Sequence, residues 1–431
     1  MDNLAVLVND DISQFNIASL PTGQETKQYE LIDNLDVRLG TRHLYCVLLC
    51  VFLVTTPPVQ MWSQTVGTGI LATFSILCFI KAPKLWAPPP LFIPLLAVSW
   101  SAILWSVDPV RAATEAATLM LVACCATAIS RAIPLVSVIA VLRRLVVFVV
   151  SVSVALYFIS PSLVVHTGAY SYGLLHGPFS HKNWFAFFCF IGLSATVFSP
   201  QTNRKSFLWR AGQFALLIVG LVLSSSATAT LLVVILLGFR CFTAIGSRST
   251  QAKWQFLGGI TVAFGLLLPF TNRILSFILT ALDRELTFSG RTRLWSIGID
   301  LWTQRPWLGH GGGWLEIPNT QEILGLRYDF WWSTNFHNGF IQYLVEYGLV
   351  GLLAFALIIF VTFRNLRKYS PIRSSILANW LSILLLLLVL HMSVESIQRS
   401  LTLGMLFLVA ACADRYRTNR VAIRKLTVGR Q

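Results

Sequence analysis

Charge is scarce in this chain of 431 residues: only 12% are Asp, Glu, Lys or Arg. Soluble domains run near a quarter charged, so the shortage excludes an ordinary water-soluble globule. Cysteine is equally uninformative as a framework. The eight cysteines (Cys46, Cys50, Cys78, Cys124, Cys125, Cys189, Cys241 and Cys412) all lie in or beside apolar runs. That distribution excludes a disulfide scaffold and a Cys-based metal site. No grouping of His, Glu and Cys has metal-ligand spacing, so no protein-held metal and no cofactor are expected. No period of 20–50 residues recurs, which excludes a solenoid or propeller. The first 40 residues are polar and mixed in charge, without the apolar core of a secretory leader.

What the chain has in abundance is apolar length. It is 55% hydrophobic with a mean hydropathy of +0.69. A bilayer core of ~30 Å needs ~17–25 residues per helical crossing. About twelve runs qualify, near 44–62, 65–80, 89–107, 112–130, 144–160, 183–199, 208–224, 227–243, 254–271, 338–361, 374–394 and 399–414. Several are short, and the stretch 131–160 could divide differently because Arg143 and Arg144 interrupt it. The expectation is an all-α polytopic integral membrane protein with about 12 transmembrane helices. Its organisation reads as a cytoplasmic tail over 1–43, nine helices over 44–271, a large loop over 272–336, three helices over 337–414 and a basic tail over 415–431.

The net charge of +15 invites a nucleic-acid reading, but placement decides otherwise. With both termini cytoplasmic, most of the 33 basic residues fall in cytoplasmic segments, as the positive-inside rule requires. The basic balance therefore reports topology, and no nucleic-acid partner is expected. The same topology puts five polar segments on the opposite side. They are the turn Trp105–Pro109, the loop 161–182, the turn Ser224–Thr228, the loop 272–336 and the turn Glu395–Arg399.

The large loop carries the richest chemistry. Ser289-Gly290 suits a helix start, and Arg291 to Gln304 reads helical until Arg305-Pro306 stops it. Arg291, Trp295, Gly298 and Trp302 share one face of that helix, while Arg293 lies on the polar side. An arginine heading an apolar stripe is costly to bury unless an anion meets it. A phosphate oxygen pair matches the guanidinium fork, and a structural carboxylate such as Asp283 or Glu285 is the equally weighted alternative. Gly309, Gly311, Gly312 and Gly313 follow, with no preceding strand and no Gly-Lys-Ser/Thr. They read as a tight turn, not a nucleotide loop, and His310 as a packing or solvent residue.

His337-Asn338 stands where the loop re-enters an apolar run, and a helix N-terminus disfavours an imidazolium there. Gln342 and Glu346 lie one to two turns further in, where ionisable groups are functional candidates by default. The bland alternative for His337 is an interfacial histidine. A third element, His176-Gly177-Pro178-Phe179-Ser180-His181-Lys182-Asn183, starts a span on the same face. Lys182 at a helix N-terminus suggests an anion nearby, or else a lysine snorkelling to lipid phosphates. Most of Trp295, Trp302, Trp307, Trp314, Trp331 and Trp332 fit an interfacial belt, with sugar stacking as the alternative.

In this order the segments resemble the O-antigen ligase and Wzy-type polysaccharide polymerase superfamily, nearest to ExoQ-like exopolysaccharide polymerases. The matching pieces are Leu104–Pro109, Gly177–Asn183, Ser289-Gly290-Arg291-Thr292 to Trp295, Arg305–Gly309, His337-Asn338-Gly339 to Glu346-Tyr347-Gly348, and a late Glu395-Ser396. The resemblance implies a metal-independent glycosyltransferase of GT-C-type architecture with one large periplasmic loop. It would act on undecaprenyl-diphosphate-linked oligosaccharides at the periplasmic face of a bacterial inner membrane. A chain-length copolymerase and a flippase are the implied partners. It carries catalytic roles onto Arg291 and His337, and Lys182, His181, Asn183, Asn338, Gly290 and Glu346, in or beside the same segments, are the candidate substrate or diphosphate contacts. Two positions depart from the family pattern. Leu175-His176 replaces a frequent Trp-Arg pair, and Ser224–Thr228 holds no basic residue where many members have one. One phosphate-facing charge therefore comes from Lys182 or is missing.

Three readings stay open. A polymerase of lipid-linked repeat units and a ligase moving finished glycan to lipid A or protein share a donor and differ in acceptor. A transporter or flippase would place polar residues deep in several spans and use inverted repeats. Here the polar motifs collect on one face.

Overall fold

A computed structural model describes residues 39–55, 64–167, 172–199, 204–246, 291–312, 336–369, 376–395 and 401–428. Among these residues the chain is all-helical, apart from one isolated antiparallel bridge between Val165 and Leu175. The α-helices are α1 (Leu39–Thr55), α2 (Gln64–Lys81), α3 (Ile93–Ser101), α4 (Pro109–Ala132), α5 (Leu135–Ile159) and α6 (Lys182–Phe198). They continue with α7 (Arg204–Ser224), α8 (Ala227–Gly246), α9 (Arg291–Gln304), α10 (Gly339–Tyr369), α11 (Ile376–Met392) and α12 (Leu401–Val428). Within α4, α5, α7, α8 and α10 lie segments long and apolar enough to cross a membrane, and shorter apolar helices accompany them. The chain is a multi-pass membrane protein.

The packing has the inverted pattern that a bilayer demands. α6 is buried along most of its length, with Phe185, Phe187, Phe188 and Phe190 fully enclosed by α5, α7, α8 and α11. α12 is sheathed by α4, α10 and α11. Large apolar side chains point outward instead, among them Phe148 and Phe158 on α5, Leu231 and Val234 on α8, and Leu353 and Phe360 on α10. In water such a surface would be an aggregation hazard; against acyl chains it costs nothing.

Several sequence expectations shift in detail. Arg143 and Arg144 do not divide their stretch, because α5 runs unbroken through both and Arg143 Nη1 donates to Gln213 Oε1 on α7 at 2.5 Å. The first helix starts at Leu39, inside the expected tail. The last continues to Val428, through the segment expected as a basic tail, where Arg415 donates to the carbonyls of Ser130 and Ile133 and Arg417 pairs with Asp414. The run near 254–271 lies outside the described residues, as do Asp283, Glu285, Gly290, Gly313, Trp314, Trp331 and Trp332.

One helix is broken on purpose. Gly348 interrupts α10 with φ 64° and ψ −163°, and a Cβ there would meet the Trp307 carbonyl oxygen at 2.2 Å. The Arg305–Gly311 segment slots into this break. His310 N donates to Val345 O and Gly311 N to Glu346 O, both at 2.8 Å, while Leu349 N donates to Pro306 O at 2.8 Å. The neighbouring segment thus supplies partners for the carbonyls of Val345 and Glu346 and for the amides of Leu349 and Val350 at the break, as interrupted helices in an apolar medium require. This clasp fixes α9 on α10, and Leu294 and Leu301 of α9 close a small core with Phe336 and Val345.

Candidate active site

The helix over Arg291–Gln304 lies where the Ser-Gly start and the Arg-Pro stop place it. Its first residue points at Glu395, in the turn after α11. Arg291 Nη2 reaches Glu395 Oε1 at 3.2 Å, and Nη1 donates to the Val394 carbonyl. The anion that meets Arg291 is therefore a carboxylate 104 residues away. That turn is held by bonds from Val394 N and Glu395 N to His391 O, at 3.2 and 3.0 Å.

Glu395 gathers two further predicted residues. Asn183 Nδ2 donates to Oε1 at 3.0 Å, and His337 Nδ1 lies 3.2 Å from Oε2. Burial alone would raise the Glu395 pKa. The hydrogen bond from His337, with the charges of Arg291 and His337, outweighs burial and holds it at about 2. The carboxylate is thus ionised at neutral pH and can only accept. His337 Nδ1 therefore donates to the carboxylate, and Nε2 is the ring nitrogen left to exchange a proton. Asn183 Oδ1 is buried with no hydrogen-bond donor on it, beside this pair.

Lys182 and His181 complete the cluster from the start of α6. Lys182 Nζ reaches the carbonyl of Ser225 at 3.5 Å, in the serine-rich turn that lacks a basic residue of its own. The start of α6 is capped by imidazoles: His181 Nδ1 accepts from Asn183 N at 3.2 Å, and His166 Nε2 accepts from Lys182 N at 3.0 Å. Burial lowers the His181 pKa to about 4; Glu395 opposes this, while His166, Lys182 and His337 assist. Burial, His176 and Lys182 likewise lower that of His166. Both rings stay neutral acceptors, which the positive end of a helix favours.

Two non-glycine residues among the described ones have positive φ, His337 at 47° and Ser225 at 48°. Both belong to this cluster. Strain of that kind persists only where surrounding contacts over-determine it, and functional sites are where it collects.

Asn338 and Glu346 sit elsewhere. Asn338 Oδ1 caps α10, accepting from Phe340 N at 3.0 Å and Ile341 N at 3.2 Å. Glu346 faces the protein interior, where its Oε1 accepts from Gln342 Nε2 at 2.6 Å. Gln342 Oε1 in turn accepts from Phe336 N, at 3.2 Å, directly before the strained His337. The pair thus braces the backbone that aims the imidazole. Gln342→Leu is expected to lower turnover roughly 10–100-fold, with little change in apparent substrate affinity. The same change in a His337→Ala background is expected to cost nothing more; equal losses in both backgrounds would mean a general structural role. His310 is a packing residue, buried with Nε2 2.9 Å from Leu301 O.

The turn Trp105–Pro109 joins the same end, since Trp105 Nε1 donates to Leu308 O at 3.2 Å and Arg305 donates back to Trp105 O at 3.4 Å. All five polar segments assigned to one side by sequence therefore have described residues at one end of the bundle.

The model of the O-antigen ligase family matches residues 213–356. The Exopolysaccharide production protein ExoQ of Rhizobium meliloti (strain 1021) is 28% identical over 212 residues, covering 46% of this chain and 47% of that protein. The resemblance is to the O-antigen ligase and ExoQ-like superfamily. The match spans about half the length of the curated relative. The O-antigen ligase match contains Arg291 and His337 but stops short of Glu395, and it begins after Lys182 and Asn183. From sequence, Glu395 stands only at the start of a polar turn and at the end of the family resemblance, with no role attached. A single carboxylate in a short turn gives no local sign that three other elements converge on it.

Proposed function

We propose that this protein polymerises undecaprenyl-diphosphate-linked oligosaccharide repeat units into an exopolysaccharide, by metal-independent glycosyl transfer at the periplasmic face of the inner membrane. The observation that carries the reading is the Arg291–Glu395–His337–Asn183 cluster at the loop end of the bundle, beside Lys182. It supplies what the reaction needs: fixed cations for a diphosphate leaving group, and an imidazole oriented by an ionised carboxylate.

The acceptor sugar hydroxyl attacks the anomeric carbon of the donor and its proton passes to His337 Nε2. The bond from that carbon to the diphosphate oxygen breaks, and the lipid diphosphate leaves against Arg291 and Lys182. Glu395 stabilises the imidazolium so formed. Asn183 Oδ1, an acceptor without a donor, fits a sugar hydroxyl. Lys182, His181, Asn183, Asn338, Gly290 and Glu346 remain the proposed substrate-side set, with Asn338 and Glu346 acting through the backbone around His337. About twelve crossings, a GT-C-type architecture and cytoplasmic termini complete the proposal. A chain-length copolymerase and a flippase would act alongside.

Ligation is the second reading, favoured by the name of the matching family. A deletion strain separates the two. Single repeat units accumulating on the lipid, with no polymer, mean polymerase; long lipid-linked polymer that never reaches its acceptor means ligase. Failed rescue by Arg291→Ala and by His337→Ala at matched membrane levels assigns the chemistry to this cluster. Normal polymer with both variants would overturn the site.

A further inference from the structure

A second cluster of cations lies far from the first. On α5, Arg143 stands roughly 24 Å from the end at Ile159, and on α7, Arg210 stands roughly 21 Å from the end at Ser224, at 1.5 Å per residue. Those ends carry the candidate active site, so the two arginines share a level near the opposite membrane surface. They face each other across the α5–α7 contact. Arg144 and Arg210 are the charges that bear on Arg143, and both are positive.

The protein satisfies this group only in part. Arg210 is accounted for by its bond to Ser199 O at the end of α6, at 2.8 Å. Arg143 Nη1 is held by the neutral amide oxygen of Gln213, while its Nε is buried with no acceptor. Among the described residues no carboxylate pairs with Arg143 or Arg144. Arginines this close, in a medium of low dielectric constant, repel one another unless an anion lies between them. Between Arg210 and the start of α7, Phe207, Leu208 and Trp209 are exposed, the last a tryptophan of the kind that lines membrane interfaces.

We infer that Arg143, ordered by Gln213 and with the charges of Arg144 and Arg210 beside it, holds the phosphate of an anionic phospholipid headgroup at the cleft between α5 and α7. A guanidinium offers the planar fork that a phosphate diester accepts, and the bilayer supplies that diester at high local concentration. A merely snorkelling arginine answers to the charge of the leaflet and not to the shape of one headgroup, so lysine would serve equally well in its place.

The test uses the full chain purified in a neutral detergent. Thermal unfolding is followed with added phosphatidylglycerol, phosphatidylcholine or inorganic phosphate at equal phosphate, and retained lipid is counted by native mass spectrometry. Phosphatidylglycerol is expected to raise the wild-type Tm by several degrees more than phosphatidylcholine does. Arg143→Gln is expected to lose more than half of that difference and to retain less phosphatidylglycerol. Arg143→Lys, which keeps the charge without the fork and guards against a folding failure of the first variant, is expected to fall between them. Equal gains from both lipids, the same gain in wild type and Arg143→Gln, or a gain reproduced by inorganic phosphate alone would each overturn the assignment.

Discussion

Glu395→Ala is expected to abolish polymer formation, lowering turnover by roughly 10³–10⁴-fold, because it removes the group that orients His337 and offsets the imidazolium. It is also expected to reduce accumulation in the membrane. Arg291 and His337 would keep their half-buried positions without the carboxylate that faces them, at a cost below that of breaking a fully buried pair from one side, about 3–5 kcal/mol. The two losses are separable with Glu395→Gln. Its amide keeps the shape and one acceptor oxygen for the His337 Nδ1 proton, so accumulation should recover most of the way. Turnover should not, since a neutral amide cannot balance the charge that develops on the ring. The measurement is single-turnover transfer on lipid-linked repeat units at equal protein, with membrane level read by immunoblot. A Glu395→Gln protein as active as wild type would reduce Glu395 to a structural brace.

Acid should not reproduce that variant at ordinary pH. Glu395 has its pKa held at about 2, below an unfolded value near 4. Its contribution to stability is complete above about pH 4 and disappears as pH falls through about 2. His181 comes under pressure earlier. Its pKa falls from near 6.5 in the unfolded chain to about 4 in the fold. The unfolded chain therefore binds the extra proton first, and stability declines as pH drops from about 6.5 towards 4. A loss of stability setting in over that window thus points to the imidazole caps at the start of α6, while Glu395 keeps its charge to far lower pH.

The helical, membrane-bound character was legible because composition and run length set it directly. The ends of α9 were legible for a local reason, glycine before Arg291 and proline after Arg305, and the structure has the helix over those residues. Lys182, Asn183, Arg291 and His337 stood out as polar groups heading apolar runs, and the fold brings them together around Glu395 and the Ser225 turn. The partner of Arg291 was not legible. Sequence reasoning looked nearby, to Asp283 and Glu285, whereas the carboxylate it meets lies across the fold from α9. Glu346 was placed with the substrate contacts because a buried carboxylate invites a role. Its direction depends on the break at Gly348, and the backbone conformation at a glycine is decided by what packs against it. The strained φ angles of His337 and Ser225 were invisible for the same reason, since neither residue type asks for them.

Arg291→Lys tests whether the cluster recognises charge or shape. The guanidinium spans two acceptors at once, the Val394 carbonyl and Glu395 Oε1. A lysine ammonium is a single point on a flexible stem and can hold one of them while swinging clear of the other. If the diphosphate is bound by paired oxygens on that fork, Lys should fail almost as badly as Ala, with turnover down about 10²–10³-fold. The two variants should then differ in accumulation, because Lys still meets the buried Glu395 and Ala leaves it with Asn183 and His337 only. If Lys instead restores half or more of the polymer, a diffuse positive field is sufficient. Lys182 would then be the equivalent contributor, and the double variant Lys182→Ala with Arg291→Lys should be the one that stops the reaction. The order of those effects decides which cation the leaving group meets.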